Sequence, residues 1–576
     1  MIVREKDRPV RLSLAMRLKN AISAVLLAAL LDGSHAGQPD RVFIRVDAAK
    51  IKGEMRPVWS FFGYDEPNYT YMKDGKKLLS ELAALSPVPV YVRTHNLLTT
   101  GDGTAALKWG STNAYTEDAS GHPRYDWTIV DRIFDTYIER KMKPLVEIGF
   151  MPEALSTKPQ PYRHEWGIEK SYNTIFTGWA YPPRDYQKWS ELVYQWVRHS
   201  VARYGRAEVE SWYWELWNEP DIGYWKGTPE EYFKLYDYTA DALKRALATA
   251  RIGGPHVTGP NGTRTQKFLR DFLEHCLRGT NTATGKTGAP LDYIGFHAKG
   301  APAVVEGHVR MGISNQLRAI SNGFQIVASF PELRSTPIII GESDPEGCAA
   351  CSSRVYSQNG YRNGTMYSSY TAAQLARTYE LAELHRVNLL GTVTWAFEFE
   401  NQPYFDGFRD LATNGIDKPV LNVFRMLGMM GGRRLGVESG GAIPLEVIRD
   451  AGVRGKPDVS AMASRQERAL SVLVWNYHDD DLPAPAVEIE LTVEGLPSGR
   501  LQFSHYRIDA DHSNSYEAWK KMGSPQNPSY EQYAQLEKAG RLELLSSPER
   551  LQTKSGRVTL RFNLPRQGVS LCVLTW

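Results

Sequence analysis

Short apolar segments recur along the chain, and a longer stretch of mixed polarity follows each one. The segments are rich in β-branched and aromatic residues, which favours strands over helices. They are Pro57–Gly63, Val88–Thr94, Pro144–Phe150, Ser211–Trp217, His256–Gly259, Asp292–His297, Pro337–Gly341 and Gly391–Phe397. The pattern predicts eight strands separated by helical connections.

Helical spacing is visible between these segments. In Tyr186–Tyr204 the apolar positions recur three and four residues apart, at Trp189, Leu192, Val193, Trp196 and Val197. Further helices are predicted over Pro229–Thr249, with Thr228 as N-cap, and over Thr371–Val387. Eight alternating units predict an α/β protein built on a (β/α)8 TIM barrel. An open doubly wound sheet is the alternative, but no glycine-rich phosphate loop follows an early strand.

The pattern changes after about residue 430, where glycines cluster and the predicted elements become strands. These are Leu470–Tyr477, Val487–Val493, Leu501–Ile508, Arg541–Leu545, Arg557–Leu564 and Val569–Trp576. We expect a catalytic (β/α)8 domain over residues 37–430 and a C-terminal β-sandwich over 431–576. Val42–Val46 alternates like a strand, so residues 37–50 are a candidate strand of the sandwich.

The N-terminus has the pattern of a secretory signal peptide. An uncharged apolar run at residues 21–31 follows Arg17 and Lys19 and precedes the small residues of Ser34-His35-Ala36. The run is shorter than the about 20 residues that a transmembrane helix needs. We therefore predict cleavage after residue 36, export to the periplasm or the exterior, and no membrane contact after cleavage.

Composition narrows the function classes. Of 576 residues, 42% are hydrophobic and 23% charged, as in globular proteins. With 68 Lys+Arg against 65 Asp+Glu, the net charge is 68 − 65 = +3, which gives no reason to expect nucleic acid as a partner. Four cysteines exclude a disulfide scaffold. An aromatic content of 11% suits flat, amphipathic ligands without identifying one.

Two glutamates follow predicted barrel strands. The fourth strand leads into Asn218-Glu219-Pro220-Asp221, and the seventh leads into Gly341-Glu342. Strand ends carry the chemistry of a TIM barrel, and two facing carboxylates are what glycosidic bond cleavage requires. Capping or salt-bridged surface glutamates are the alternative. The placement of both at strand ends favours a catalytic pair.

These motifs resemble those of retaining (β/α)8 glycosidases, and the chain is most similar to glycoside hydrolase family 39. Trp217-Asn218-Glu219-Pro220-Asp221 and Gly341-Glu342 carry the resemblance. Further matches are Arg93-Thr94-His95, Phe296-His297, Thr394–Glu400, Tyr506–Asp509, His512–Asn514, Trp519 and Met522–Pro525. The similarity covers nearly all of the chain after the signal segment.

The resemblance implies roles for individual residues. Glu219 would be the general acid/base and Glu342 the nucleophile. The sugar would be bound by Asn218, at the hydroxyl next to the anomeric carbon, by His95 and His297, by Trp395 under the ring, and by Glu398 or Glu400 at distal hydroxyls.

The resemblance also implies a retaining exo-glycosidase, and we expect a β-D-xylosidase that acts on the small xylo-oligosaccharides of xylan. An α-L-arabinosidase or a bifunctional xylosidase/arabinosidase is the nearest alternative, and a non-catalytic carbohydrate-binding protein is the alternative from another class. An α-L-iduronidase is disfavoured, because no convergent basic site for a uronate is assignable from the sequence. We predict no cofactor and no metal site.

Cys348-Ala349-Ala350-Cys351 has the spacing of a redox or zinc motif, but no second cysteine pair accompanies it. In an exported protein a local disulfide is favoured over free thiols. The segment begins six residues after Glu342, so we expect the loop to shape the sugar pocket.

Overall fold

The computed structural model describes residues 41–576 except residues 86, 168 and 171. The predicted signal peptide over residues 1–36 lies outside the described residues. Residues Val42–Trp576 form one compact unit. Among the described residues, no helix combines the length and apolar character that a membrane crossing requires.

The predicted barrel is confirmed. Eight parallel strands close on themselves in chain order, the last pairing with the first. They are Phe61–Tyr64, Tyr91–Thr94, Lys143–Ile148, Tyr213–Leu216, Arg251–Val257, Tyr293–Lys299, Pro337–Asp344 and Asn388–Trp395. The strands are almost entirely buried, as expected for a barrel enclosed by helices.

The fifth strand differs from the prediction. It covers Arg251–Val257 rather than His256–Gly259. Its Gly253-Gly254-Pro255 run is typical of a turn. Here, however, the missing side chain of Gly253 makes room for the next strand to pack against it. A Cβ at Gly253 would lie 2.5 Å from the ring of Tyr293 on the next strand. Close approach between strands therefore explains a glycine that the local pattern assigns to a loop.

One principal helix follows each barrel strand. These helices are Lys73–Ala83, Thr128–Ile138, Tyr186–Tyr204, Pro229–Ala246, Thr263–Arg278, Ile313–Ala328, Thr365–His385 and Pro419–Gly428. Further helices cover Arg206–Val209, Leu445–Ala451, Ser515–Lys521 and Tyr530–Gly540. The helix over Tyr186–Tyr204 has the predicted bounds, and Thr228 caps the next helix through a capping box with Glu231.

Ten of the strands outside the barrel form one hydrogen-bonded sheet, and six short strands form three separate pairs: Tyr115–Glu117 with Pro123–Tyr125, Ala303–Val305 with His308–Arg310, and Ala412–Thr413 with Ile416–Asp417. The strands of the large sheet are Arg41–Glu54, Arg433–Ser439, Asp458–Arg465, Ala469–Tyr477, Val487–Glu494, Arg500–Ile508, Glu543–Leu544, Glu549–Gln552, Val558–Leu564 and Val569–Thr575. The strand over Arg41–Glu54 precedes the barrel in sequence but belongs to this sheet, as residues 37–50 suggested. The strand over Arg433–Ser439 pairs with Arg41–Glu54 along its whole length and with Asp458–Arg465 at Arg433 and Arg434, so the strand path is continuous.

This sheet has its own apolar core. Side chains from both ends of the strand path share one buried cluster, which includes Ile44, Val472, Leu491, Leu560 and Leu574. The sheet also packs on the barrel helix over Thr365–His385. There the Arg377 guanidinium lies 2.8 Å from Asp458, a fully buried carboxylate that also accepts hydrogen bonds from Trp475 and from the backbone of Ile443.

A second contact joins the C-terminal region to the loop after the eighth barrel strand. Phe405 and Ile416 of this loop form a small apolar cluster with Trp519 and Leu536 of the C-terminal helices. The backbone N–H of Tyr404 donates to the side chain of Gln526 at 2.8 Å. The C-terminal region therefore supports one wall of the barrel mouth.

The buried pair of Arg377 and Asp458 should stabilise the junction between barrel and sheet. We expect Asp458→Ala to lower the free energy of unfolding by about 3–5 kcal/mol, because it leaves a buried guanidinium without its main partner. Urea denaturation followed by fluorescence measures the change. Asp271→Ala, which removes an exposed partner of Lys267, is the matched control and should have no measurable effect. Equal free energies of unfolding for the two variants would contradict a stabilising role of the Arg377–Asp458 pair.

Candidate active site

The two predicted catalytic glutamates meet at the carboxyl end of the barrel. A carboxylate oxygen of Glu219, one of Glu342 and a ring nitrogen of His297 all lie within 4.8 Å of one another. Nδ1 of His297 is 2.9 Å from Oε1 of Glu219 and 3.7 Å from Oε1 of Glu342. Carboxyl groups about 5–5.5 Å apart are typical of retaining glycosidases, whereas inverting enzymes need about 6.5–9.5 Å. The arrangement has the spacing for retention.

The backbone around Glu219 is bent to present its side chain. Trp217 and Glu219 have φ angles of +66° and +42°, a left-handed region that residues with a side chain seldom adopt. The N–H of Glu219 donates to the carbonyl of His256 at 3.0 Å, which ties the bend to the fifth strand. The Glu219 side chain remains 13% exposed, so the glycosidic oxygen of a bound substrate can reach it.

Glu342 sits at the end of the seventh strand, directly after a required glycine. A Cβ at Gly341 would lie 2.1 Å from Nδ1 of His256 and 3.0 Å from Nε2 of His297. Two histidines therefore occupy the space beside this strand, and only glycine leaves room for them. The Gly-Glu motif thus has a packing cause.

The two glutamates have opposite ionisation properties. Burial raises the pKa of Glu219 to about 8, and the negative charges of Glu342 and Asp221 act in the same direction. Burial would also raise the pKa of Glu342, but attraction from Lys299 and His297, a hydrogen bond from His95 and the charge of Arg93 outweigh it. They hold the pKa of Glu342 well below its usual range. Near neutral pH the site holds one protonated and one ionised carboxyl, as acid catalysis and nucleophilic attack require.

Arg93 connects these groups beneath the pocket. Its fully buried guanidinium lies 2.5 Å from Glu215, 3.0 Å from Glu147 and 3.2 Å from Glu342. It also donates to the side-chain carbonyl of Asn218 at 3.1 Å. One planar cation thus fixes side chains from the third, fourth and seventh strands. Arg93 belongs to a motif that carries the family resemblance, but the sequence assigns it no role.

Lys299 is the second basic residue of the site, and the sequence analysis missed it. Its ammonium lies 2.6 Å from Oε2 of Glu342 and 2.6 Å from Asp344. Lys299 lies two residues after His297 on the same strand, so both side chains point to the same face. That two-residue spacing is the signal that could have revealed it.

Several predicted sugar-binding residues surround the carboxylate pair. Because Arg93 binds the Asn218 carbonyl, the Asn218 amide N–H groups remain for a substrate. His95 lies 3.6 Å from Glu342 through Nε2 and 3.1 Å from Asp65 through Nδ1. Trp395 lies beside His95, with ring centroids 4.4 Å apart and ring planes tilted by 41°, and its indole N–H donates to Asp65 at 2.9 Å. The structure therefore brings Asn218, His95, His297 and Trp395 together with both glutamates.

Glu398 and Glu400 lie elsewhere, and the structure brings neither to the carboxylate pair. Glu398 is buried and accepts a hydrogen bond from the backbone N–H of Gly415 at 2.5 Å. Glu400 accepts from the backbone N–H of Asp74 at 2.9 Å, in the first turn of the helix over Lys73–Ala83. In the described residues these contacts order the loop after the eighth strand. Sequence proximity to Trp395 did not distinguish this role from sugar binding.

Asp65 and Lys108 complete the wall near His95, and the sequence analysis singled out neither. The ammonium of Lys108 contacts one oxygen of Asp65, whose other oxygen faces His95 and Trp395. Burial lowers the pKa of Lys108 to about 7. Lys108 lies in a long loop after the second strand, where periodicity gives no signal.

The loop after Glu342 is closed by a disulfide between Cys348 and Cys351, with Cα atoms 5.5 Å apart. Its carbonyl groups surround the buried Arg362 guanidinium, which receives no solvent contact and also lies 2.6 Å from Glu346. Arg409 joins Glu346 to Asp344, the partner of Lys299. The loop is therefore connected to Glu342 through a chain of ion pairs.

Glu219, His297 and Glu342 are also the group of potential metal ligands found among the described residues. The Lys299 ammonium already occupies the second oxygen of Glu342. The raised pKa of Glu219 favours a protonated oxygen, which is a poor metal ligand. The chemistry of this donor set therefore suits proton transfer better than metal binding.

The barrel and the paired glutamates define a glycosidase of the (β/α)8 type. The sequence pattern of glycosyl hydrolases family 39 matches residues 42–550, and the chain belongs to this family. It is 27% identical to a β-xylosidase of Caldicellulosiruptor saccharolyticus over 434 residues, covering 72% of this chain and 76% of that protein. It is 26% identical to the human α-L-iduronidase over 581 residues, covering 95% and 80%.

Solved structures agree on the fold. A bacterial orthologue of human α-L-iduronidase superimposes with a TM-score of 0.73 at 20% identity, over 93% of this chain and 84% of that one. A monomeric β-xylosidase from Caulobacter crescentus superimposes with a TM-score of 0.71 at 21% identity, over 92% and 99%. The likeness extends beyond the barrel to the C-terminal region.

Lys299 should set the pH range of activity. We expect Lys299→Met to move the acid limb of the kcat/KM profile to higher pH, because loss of the ammonium raises the pKa of Glu342. The alkaline limb should also rise, since Lys299 lowers the pKa of Glu219. Activity at low pH is then lost first. Profiles on an activated aryl glycoside measure both limbs.

Lys299→Arg keeps the positive charge and should retain both limbs of the profile. An acid limb that is unchanged in Lys299→Met would show that Lys299 does not control the ionisation of Glu342.

Proposed function

We propose that the protein is a retaining exo-glycosidase, and specifically a β-D-xylosidase that releases xylose from xylo-oligosaccharides. The observation that supports this proposal is a pair of glutamates, Glu219 and Glu342, with carboxylate oxygens within 4.8 Å of each other. The pKa of Glu219 is raised and the pKa of Glu342 is lowered. The closeness of the pair supports retention, and the opposed shifts support distinct roles.

In the first step, a Glu342 oxygen attacks the anomeric carbon and forms a covalent glycosyl ester. The bond from that carbon to the departing oxygen breaks as Glu219 transfers its proton to the leaving group. Esterification removes the negative charge of Glu342, one of the causes of the raised pKa of Glu219. Glu219 then remains ionised and serves as a base.

In the second step, Glu219 takes a proton from water while the water oxygen attacks the anomeric carbon. The ester bond breaks, Glu342 leaves as a carboxylate, and Glu219 is protonated again. Two successive inversions give net retention. Arg93 and Lys299 stabilise the Glu342 carboxylate both before attack and as it departs.

The charges around the glutamates support a neutral sugar. Each of the four basic side chains there already contacts a carboxylate: Arg93 with Glu215, Lys299 with Asp344, Lys108 with Asp65, and Arg409 with Glu346. A uronate would have to compete with these carboxylates for Arg93, Lys299 and Lys108, whereas Nε and Nη2 of the buried Arg409 have no hydrogen-bond partner among the described residues. A neutral pentopyranose imposes no such competition.

We propose further that the chain is exported, since residues 17–36 have the charge, apolar run and small residues of a signal peptide. N-terminal sequencing of the protein secreted by its native host tests this. An intact residue 1–36 segment on the mature protein would contradict export by this route.

A panel of aryl glycosides tests the sugar preference. We expect turnover of aryl β-D-xylopyranoside at least about tenfold above aryl α-L-arabinopyranoside, β-D-glucopyranoside and α-L-iduronide in kcat/KM, a difference of about 1.4 kcal/mol. Proton NMR should show β-xylose as the first product. Glu342→Ala is the inactive control, and azide should rescue it with inverted configuration.

Other outcomes of the panel identify the alternatives directly. Preference for the arabinoside or the iduronide would replace the xylosidase assignment. Sugar binding without turnover of any glycoside would identify a carbohydrate-binding protein. First formation of α-xylose would exclude retention.

Glu219→Gln tests the acid role separately. Because the amide has no proton to give, kcat/KM for xylobiose should fall by about 10²–10⁴-fold. A dinitrophenyl xyloside, whose leaving group departs without protonation, should lose much less in the first step. Steady-state kinetics on both substrates measure the difference, and equal losses would contradict the acid assignment.

A further inference from the structure

Lys108 is held in place by an unusual amount of structure for a loop lysine. Its φ angle is +54°, in the left-handed region, and only 6% of the residue is exposed. Its N–H donates to Oε1 of the buried Glu66 at 2.7 Å, and its carbonyl lies 2.8 Å from Nε2 of His164. A backbone so constrained is found most often at functional sites.

The Lys108 ammonium points toward the catalytic centre rather than toward solvent. It contacts Asp65 and lies 5.1 Å from the ring centroid of Tyr172. The charges of Glu342 and Glu219 both act on it. Lys108, Asp65 and His95 line the same small crevice beside the nucleophile.

Asp65 links this lysine to the floor of the pocket. One of its oxygens lies 3.1 Å from His95 and 2.9 Å from the Trp395 indole nitrogen, and the other contacts Lys108. The His95 ring stands between Asp65 and Glu342. Asp65 and Lys108 are therefore separated from Glu342 by one imidazole ring.

We propose that Lys108 and Asp65 together bind two neighbouring hydroxyls of the sugar, at the side of the ring remote from the anomeric carbon. The ammonium supplies donors and the carboxylate supplies acceptors, so an adjacent pair of hydroxyls satisfies both. For xylose these are the hydroxyls at carbons 3 and 4. The inference rests on the proposed glycosidase function, but not on xylose as the sugar.

Buried ion pairs are expensive to desolvate, and an apolar pair would hold the loop equally well. An ion pair that faces a sugar can instead serve in binding, because the sugar hydroxyls satisfy its remaining hydrogen-bonding groups. Glu398 and Glu400, which the sequence assigned to distal hydroxyls, are engaged with Gly415 and Asp74 instead. Lys108 and Asp65 take over that role.

Removal of the lysine and of single hydroxyls tests the proposal. We expect Lys108→Met to lower kcat/KM for the preferred aryl pyranoside by about 10–100-fold, as for loss of a charged hydrogen bond. On the analogue that lacks the contacted hydroxyl, 3-deoxy or 4-deoxy, wild type and variant should differ by less than about threefold. Lys108→Arg, which keeps charge and donors, should recover part of the loss on the parent sugar.

Lys170→Met is the matched control, since Lys170 is an exposed lysine paired with Glu165 on the loop after the third strand. It should leave both kcat and KM unchanged. An equal loss in Lys108→Met on the parent and on both deoxy substrates would overturn the proposal and leave Lys108 a structural residue. If Lys108→Met does not fold, Asp65→Asn is compared with wild type on the same parent and deoxy substrates. Equal losses of kcat/KM on all of them would overturn the proposal as well.

Failure of the proposed function is distinguishable from failure of this inference. If wild type turns over no aryl pyranoside, the glycosidase proposal fails. The inference about Lys108 is then tested by calorimetry, without turnover. The measurement compares the binding of free xylose, 3-deoxy xylose and 4-deoxy xylose to wild type and to Lys108→Met. Equal weakening for all three sugars, or no binding of any, overturns it.

Discussion

The buried guanidinium of Arg93 is the interaction on which the catalytic centre depends. It is fully enclosed, and carboxylates from three different strands meet on it. A cation without solvent requires such partners, and the carboxylates equally require the cation. The barrel brings the strands together, but this shared cation fixes where their side chains point. Glu342 and Asn218 are oriented by the same group.

Around Arg93 the charges form a connected network rather than separate pairs. Lys299 links Glu342 to Asp344, and Arg409 links Asp344 to Glu346 in the disulfide-closed loop. The network leaves Glu342 strongly stabilised as an anion, whereas no lysine or arginine of the described residues forms an ion pair with Glu219 beside it. That asymmetry separates the pKa values of two carboxyls that lie close together. The two carboxyls are thus distinguished by their surroundings.

The sequence predicted the parts that local pattern and motif determine. Periodicity predicted the barrel strands and the helix over Tyr186–Tyr204. Strand-end position predicted that Glu219 and Glu342 meet. The fifth strand was misplaced because Gly253 is demanded by the distant Tyr293 ring, which no local pattern reveals. Lys108 and Asp65 were missed because loop geometry brings them together from separate turns. The family resemblance left open whether Glu398 or Glu400 contacts a sugar, and the structure shows each of them bonded to a backbone N–H, of Gly415 and Asp74 respectively.

The small cluster of Phe405 and Ile416 with Trp519 and Leu536 limits how such proteins can be recombined. The loop after the eighth strand borders the sugar pocket and is held from behind by helices that come more than a hundred positions later in the chain. A catalytic barrel grafted onto the C-terminal region of a relative would keep its glutamates but lose the surface against which this loop packs. An exchange between relatives would therefore have to move the barrel and the C-terminal region together to keep this contact.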